Sequence, residues 1–149
     1  MTINPEPRPA GIHPWGEAPT PYEELGGEQP LRRLVDHFYD RIRRDSPLLR
    51  EMHPADDRNS RRNLFEFLSG WMGGPDLYTE RKGHPRLRMR HLAFSIGPKE
   101  AEEWMRCMRG ALADTGVVDP LLGYLDRQFE RTTRHVRNAD TSSLDQPDP

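Results

Sequence analysis

Apolar residues fall along this chain in helical blocks separated by proline- and glycine-rich breaks. The clearest block opens at Pro30, where Leu31, Leu34, Val35, Phe38 and Ile42 recur at the i, i+3, i+4, i+7, i+11 spacing of one helical face. Tyr39 lies at the edge of that face, and the pattern predicts a helix ending near Asp45. Ser46-Pro47 predicts a short helical turn through Leu48 and Leu49, closed by Met52-His53-Pro54. Asp56 and Asp57 then open a further helix, where carboxylates favour the dipole. Its apolar face is Leu64, Phe67, Leu68 and Trp71, with Phe65 and Met72 beside it, and Gly73-Gly74-Pro75 ends it.

Two longer blocks follow. Pro98 opens a helix carrying Ala101, Trp104, Met105, Met108, Ala111 and Leu112 on one face. Asp119-Pro120 opens the last, with Leu121, Leu122, Leu125, Phe129, Thr132 and Val136. Nearer the start, Thr20-Pro21 supplies an N-cap and a first-turn proline for a short helix through Leu25, stopped by Gly26-Gly27. No stretch alternates in the strand period and no tight hairpin signal occurs, so the predicted fold is all-α. Residues 1–20 read as a flexible proline-rich extension, with Ile12 and Trp15 the apolar exceptions able to dock. Residues 21–137 read as the domain, and 138–149 as a polar, disordered tail.

Composition narrows the classes. Apolar types make up 34% of the 149 residues and charged types 31%, so the core is lean, as suits a chain enclosing a large apolar cofactor. The formal charge of −2 gives no global case for nucleic acid or membrane, and no apolar run approaches spanning length. One cysteine, Cys107, excludes an internal disulfide framework and suits a reducing, cytoplasmic setting.

The chemistry concentrates in residues 78–94. This short segment holds Arg81, Lys82, Arg86, Arg88 and Arg90 with His84 and His91, between Gly73-Gly74-Pro75 and Gly97-Pro98. Three readings are open from the residues alone. It is a solvated loop; or a contact for a nucleic-acid phosphate backbone; or His91 offers a ring nitrogen to a metal while arginines neutralise anionic groups of the same ligand. Haem requires that last combination, an axial imidazole and cations for two propionates.

Three segments then carry a resemblance to a known family. His37–Ile42 read HFYDRI; residues 73–94 follow GGP-x-x-Y-[ST]-E-x-x-G-HP-x-LR-x-RH-x-x-F; and Trp104 is followed by Arg106-Cys107-Met108. With these, residues 22–137 resemble the group II truncated haemoglobins. The resemblance implies a two-over-two helical sandwich around haem b, with the helices of Tyr39 and Leu64 stacked on those of Trp104 and Phe129. It implies His91 as the proximal iron ligand, and Tyr78, Arg88, Arg90, Leu64, Phe67 and Phe94 among the haem contacts. Tyr39, His53, Ser60 and Trp104 would form the distal pocket, Ser60 falling where many globins place a histidine. Ala93 departs from the family's usual proline two residues past the ligand.

The implied activity is tight dioxygen binding with slow release. Buried donors from Tyr39 and Trp104, and from His53 directly or through Tyr39, would hold the bound ligand at about 1 kcal/mol each. The implied use is redox chemistry on small ligands: nitric oxide dioxygenation, or weak peroxidase turnover on hydrogen peroxide. The other class is a non-enzymatic oxygen carrier, store or sensor. Carbon monoxide would bind as well. No flavin or nicotinamide fingerprint occurs, so electrons would come from a separate reductase. A homodimer is compatible with the resemblance.

Overall fold

The computed structural model describes residues 12–82 and 97–143. Seven described helices follow in order: α1 Pro21–Leu25, α2 Glu28–Asp45, α3 Pro47–Arg50, α4 Arg58–Trp71, α5 Leu77–Lys82, α6 Pro98–Thr115 and α7 Leu121–Ser143. Among the described residues no strand forms; the one β-type pairing is an isolated bridge between His13 and Gly16.

The helix ends follow local chemistry. Thr20 caps α1, its hydroxyl accepting the Glu23 N–H at 3.1 Å, and Gly26 closes it at φ 115°. Helix α2 starts two residues before Pro30, which sits inside the first turn. Proline is tolerated there because that turn's N–H groups have no intrahelical acceptor. Ser46 serves two helices: its N–H closes α2 on the Ile42 carbonyl, and its hydroxyl accepts the Leu49 N–H of α3 at 3.3 Å. Glu100 reaches back to the Gly97 N–H at 2.8 Å to fix the start of α6. Helix α7 continues into the polar tail, through Ser143.

Packing is two layers, as expected. Helix α2 pairs with α4, α6 pairs with α7, and the broad contact between layers is α2 on α6. Phe38, Leu31, Leu34 and Ile42 of α2, Met108 and Leu112 of α6, and Leu125 and Phe129 of α7 are fully buried and form the centre. Cys107 is buried in this core, and burial pushes its thiol up, so it stays protonated and inert. Trp15 is 2% exposed, its indole N–H donating to the Ala18 carbonyl and its ring edge-on to Tyr124, whereas Ile12 is 95% exposed. The segment before α1 is thus pinned at Trp15.

The Gly73-Gly74-Pro75 break does more than end α4. Tyr22 of α1 donates its backbone N–H to the Met72 carbonyl at 3.0 Å and lays its ring on Gly74. A Cβ at position 74 would stand 2.5 Å from Tyr22 Cγ, the rooted end of that side chain. Gly74→Ala is therefore expected to destabilise the fold by about 1–3 kcal/mol, the range for overpacking. A denaturant midpoint unchanged from the parent would show that Tyr22 can move aside.

Candidate functional site

The site is built where α2, α4, α6 and α7 face one another across a chain of aromatic rings. It runs from His53 to Tyr39 (5.6 Å between ring centres), to Phe38 (5.2 Å), Trp104 (5.1 Å) and Phe129 (5.5 Å). From Phe129 it continues to Trp71 (4.7 Å), Phe67 (6.5 Å) and Tyr78 (6.0 Å). Residues far apart in sequence thus line one wall.

Each helix presents its part for a local reason. In α2, Phe38 and Tyr39 are both buried, but Tyr39 is one position round the helix and so lies at the rim of the core. In α4, Phe65, Leu68 and Trp71 are buried, while Leu64 and Phe67 are only half-buried. The face read as Leu64, Phe67, Leu68 and Trp71 therefore divides into a buried pair, Leu68 and Trp71, and a half-buried pair, Leu64 and Phe67, that borders the site; Phe65 beside it lies beneath the Arg32 guanidinium of α2, 4.2 Å from its ring centre. Trp104 is half-buried, whereas Ala101, Met105 and Met108 on the same helix are buried.

Hydrogen bonding defines what the polar groups can do. His53 Nδ1 lies 2.8 Å from the Leu49 carbonyl, and a carbonyl only accepts, so Nδ1 carries the proton. In the neutral ring Nε2 is then an acceptor. A neutral His53 therefore presents no N–H at Nε2, and its ring stands edge-on to that of Tyr39. Burial pushes the Tyr39 phenol well above its ordinary range, the Asp57 charge pushes it further, and Arg61 pulls it back. The phenol is protonated at any physiological pH and available as a donor. Ser60 is half-buried in the first turn of α4.

Tyr78 is buried on α5, its ring edge-on to Phe67. Helix α5 is held to α4 by Arg81, which donates to Glu66 Oε1 and Asn63 Oδ1, both at 2.7 Å. One cation of the basic segment is thus committed to an internal ion pair. Glu80, on sequence distance a partner for the proximal imidazole, is exposed on α5. His84, Arg88, Arg90, His91 and Phe94 lie outside the described residues, as does the Val136 side chain.

One residue stood out only in three dimensions. Among the described residues the Trp71 indole N–H is buried with no acceptor, and its ring, 3% exposed, is stacked on Phe129 at 23°. A buried donor left unpaired in this way is costly, so a further group bearing an acceptor would complete it. An aromatic wall with half-buried Leu64, Phe67 and Trp104, donors at Tyr39, Trp104 and Trp71, and no cluster of metal-ligating side chains among the described residues suits a large, mainly apolar group with polar edges. Haem fits that description.

The comparisons decide the family. The bacterial-like globin family model matches residues 20–138. The chain belongs to the group II truncated haemoglobins. It is 42% identical over 118 residues to the group 2 truncated hemoglobin YjbI of Bacillus subtilis (strain 168), covering 79% of this chain and 88% of that one. Among solved structures, the group II 2-on-2 hemoglobin of Agrobacterium tumefaciens superposes at a TM-score of 0.78 with 36% identity, covering 83% of this chain and 97% of that one. The truncated oxygen-avid haemoglobin of Bacillus subtilis superposes at 0.75 with 41% identity, covering 78% and 98%. The chain is accordingly a haem- and oxygen-binding two-over-two globin. No helix among the described residues is long and apolar enough to cross a membrane.

Proposed function

We propose that this globin carries haem b, binds dioxygen tightly, releases it slowly, and uses it in redox chemistry on small ligands in the cytoplasm. Nitric oxide dioxygenation is the first candidate, with a separate reductase returning the electron, and weak turnover of hydrogen peroxide is the second. His91 would hold the iron, with Leu64, Phe67 and Phe94 against the macrocycle and Tyr78, Arg88 and Arg90 toward its propionates. Haem supplies an iron that takes diatomic ligands reversibly and changes oxidation state by one electron. Everything else in the reading is work done by this chain's side chains.

The observation that carries it is the pair of donors flanking Phe38. The Tyr39 hydroxyl and the Trp104 indole stand on neighbouring helices with their rings 5.2 and 5.1 Å from the Phe38 ring. Dioxygen in this pocket carries partial negative charge, and a donor that meets it stabilises it by ~1 kcal/mol. Two such donors slow release by roughly 10- to 100-fold, at tenfold per 1.4 kcal/mol. Slow release suits a chain that keeps dioxygen waiting for a second reactant. The relative described as oxygen-avid points the same way. Trp104 and Phe129, with ring centres 5.5 Å apart, stand together on the α6–α7 side of the site.

The test begins with absorption spectra of the purified protein, first ferric, then reduced, then exposed to oxygen. A Soret band, a five-coordinate ferrous form and a slowly decaying oxygen complex are expected. Nitric oxide consumption sustained over many turnovers by an added reductase is expected next. Slow oxygen release without such turnover would sink the dioxygenase reading and leave a carrier or sensor.

A further inference from the structure

Arg61 lies in the first turn of α4, yet its side chain reaches across to α2. The guanidinium meets three carboxylates, Asp57 through both Nε and, at 3.3 Å, Nη2. Nε donates to Asp57 Oδ1 at 2.9 Å, Nη1 to Asp36 Oδ1 at 3.0 Å and Nη2 to Asp40 Oδ1 at 2.9 Å. Nη1 also reaches the Asp36 carbonyl at 3.3 Å. Asp57 has a second cation, Arg43, whose Nε donates to Oδ2 at 3.1 Å. Isolated exposed ion pairs contribute little to stability. This cluster is of another kind, because one rigid planar fork, only 22% exposed, fixes three partners at once.

The partners are placed to matter for the pocket. Asp36 and Asp40 are one helical turn apart on α2 and bracket Tyr39; Asp57 is the residue immediately before α4. The fork therefore sets how the first turn of α4, with Ser60 on it, lies against the stretch of α2 bearing the distal phenol. Its Cζ stands over the Tyr39 ring, 5.7 Å from the centre, within the range of a cation–π contact. Electrostatics agree with geometry. Burial alone would raise the Asp57 carboxyl, but the bonds from Arg61 and Arg43 outweigh it and hold it below its ordinary range, so Asp57 is charged. Without Arg61, that charge would act on the Tyr39 phenol with less opposition and weaken it as a donor.

We propose that Arg61 is a positioning residue for the distal hydrogen bond: by bridging Asp36, Asp40 and Asp57 it fixes Tyr39 and the first turn of α4 in the arrangement that retains the ligand. It touches neither ligand nor haem in this role. The inference rests on the reading of Tyr39 as a distal donor, and the experiment separates the two.

Oxygen release rates and the stretching frequency of bound carbon monoxide would be measured for the haem-loaded parent, Tyr39→Phe, Arg61→Met and the double variant. Arg61→Met is expected to release oxygen roughly fivefold faster, the value of about one weakened hydrogen bond. It should also shift the carbon monoxide frequency toward that of Tyr39→Phe, and add nothing further in the Tyr39→Phe background, as a residue acting through Tyr39 must. If Tyr39→Phe itself changes neither readout, the donor reading fails and takes this inference with it. If Tyr39→Phe behaves as expected while Arg61→Met changes nothing, or its effect adds in full to that of Tyr39→Phe, the positioning role alone is overturned. Should Arg61→Met not fold, Asp36→Ala combined with Asp40→Ala removes both side-chain acceptors of the fork on α2, at two exposed positions, leaving only the Asp36 carbonyl. The same direction of change supports the role, and parental values for both readouts overturn it.

Discussion

Replacing His91 by alanine is expected to give a folded chain that no longer holds haem stably or shows a five-coordinate ferrous spectrum. The described centre of the fold comes from α2, α6 and α7, through residues such as Phe38, Met108, Leu112 and Phe129, and those contacts stay in place without the imidazole. Helix content by circular dichroism should therefore remain near that of the parent without haem. The iron, by contrast, loses its one protein ligand in this reading. On the same proposal, apolar contacts with Leu64 and Phe67 would give a macrocycle an unspecific berth, with nothing to fix the iron's coordination. Added imidazole should restore much of the ferrous spectrum, because the small molecule replaces the lost ring. Haem retained by His91→Ala with the parental spectrum would mean that another side chain is the proximal ligand.

Trp104→Phe is the second large effect. Phenylalanine keeps an aromatic ring against Phe38 and Phe129, which stand 5.1 and 5.5 Å from the Trp104 ring, so most of the packing survives. What goes is the indole N–H. Oxygen release is expected to accelerate about tenfold or more, the effect of losing a donor to a partly charged acceptor. Carbon monoxide, which carries less charge on its outer atom, should be released with a smaller change. That contrast distinguishes a lost donor from a loosened pocket, since a packing defect would speed both ligands alike. Equal rates for parent and variant would return Trp104 to a purely structural role.

His53 stands edge-on to Tyr39 at the same pocket. Where its ring is neutral, with the Nδ1 proton on the Leu49 carbonyl, Nε2 is an acceptor, which leaves Tyr39 and Trp104 as the proposed distal donors. The residue reads as a third donor in the sequence because histidine has two nitrogens that can each carry a proton. Only the backbone carbonyl one turn earlier decides which of them does.

The all-α class, most helix boundaries and the order of the helices other than α5 Leu77–Lys82, which the sequence reading left inside the basic segment, were determined by the sequence itself. Those features depend on short-range rules: apolar spacing within a turn or two, prolines and glycines at ends, hydroxyls and carboxylates at caps. The HFYDRI run and the motif across residues 73–94 carried the family, and with it the expectation of haem, before any coordinates. Only the tertiary structure decided the rest. It divided the α4 face so that Leu64 and Phe67 border the site while Phe65 packs on Arg32, and it seated Tyr22 on Gly74. It left the Trp71 indole donor without an acceptor among the described residues, and joined Arg61 to Asp36 and Asp40 of another helix. In each case the partner lies in a different element, and local spacing carries no information about which residues meet once helices pack. A periodic pattern says that a side chain turns inward; the crossing of two helices determines what it finds there.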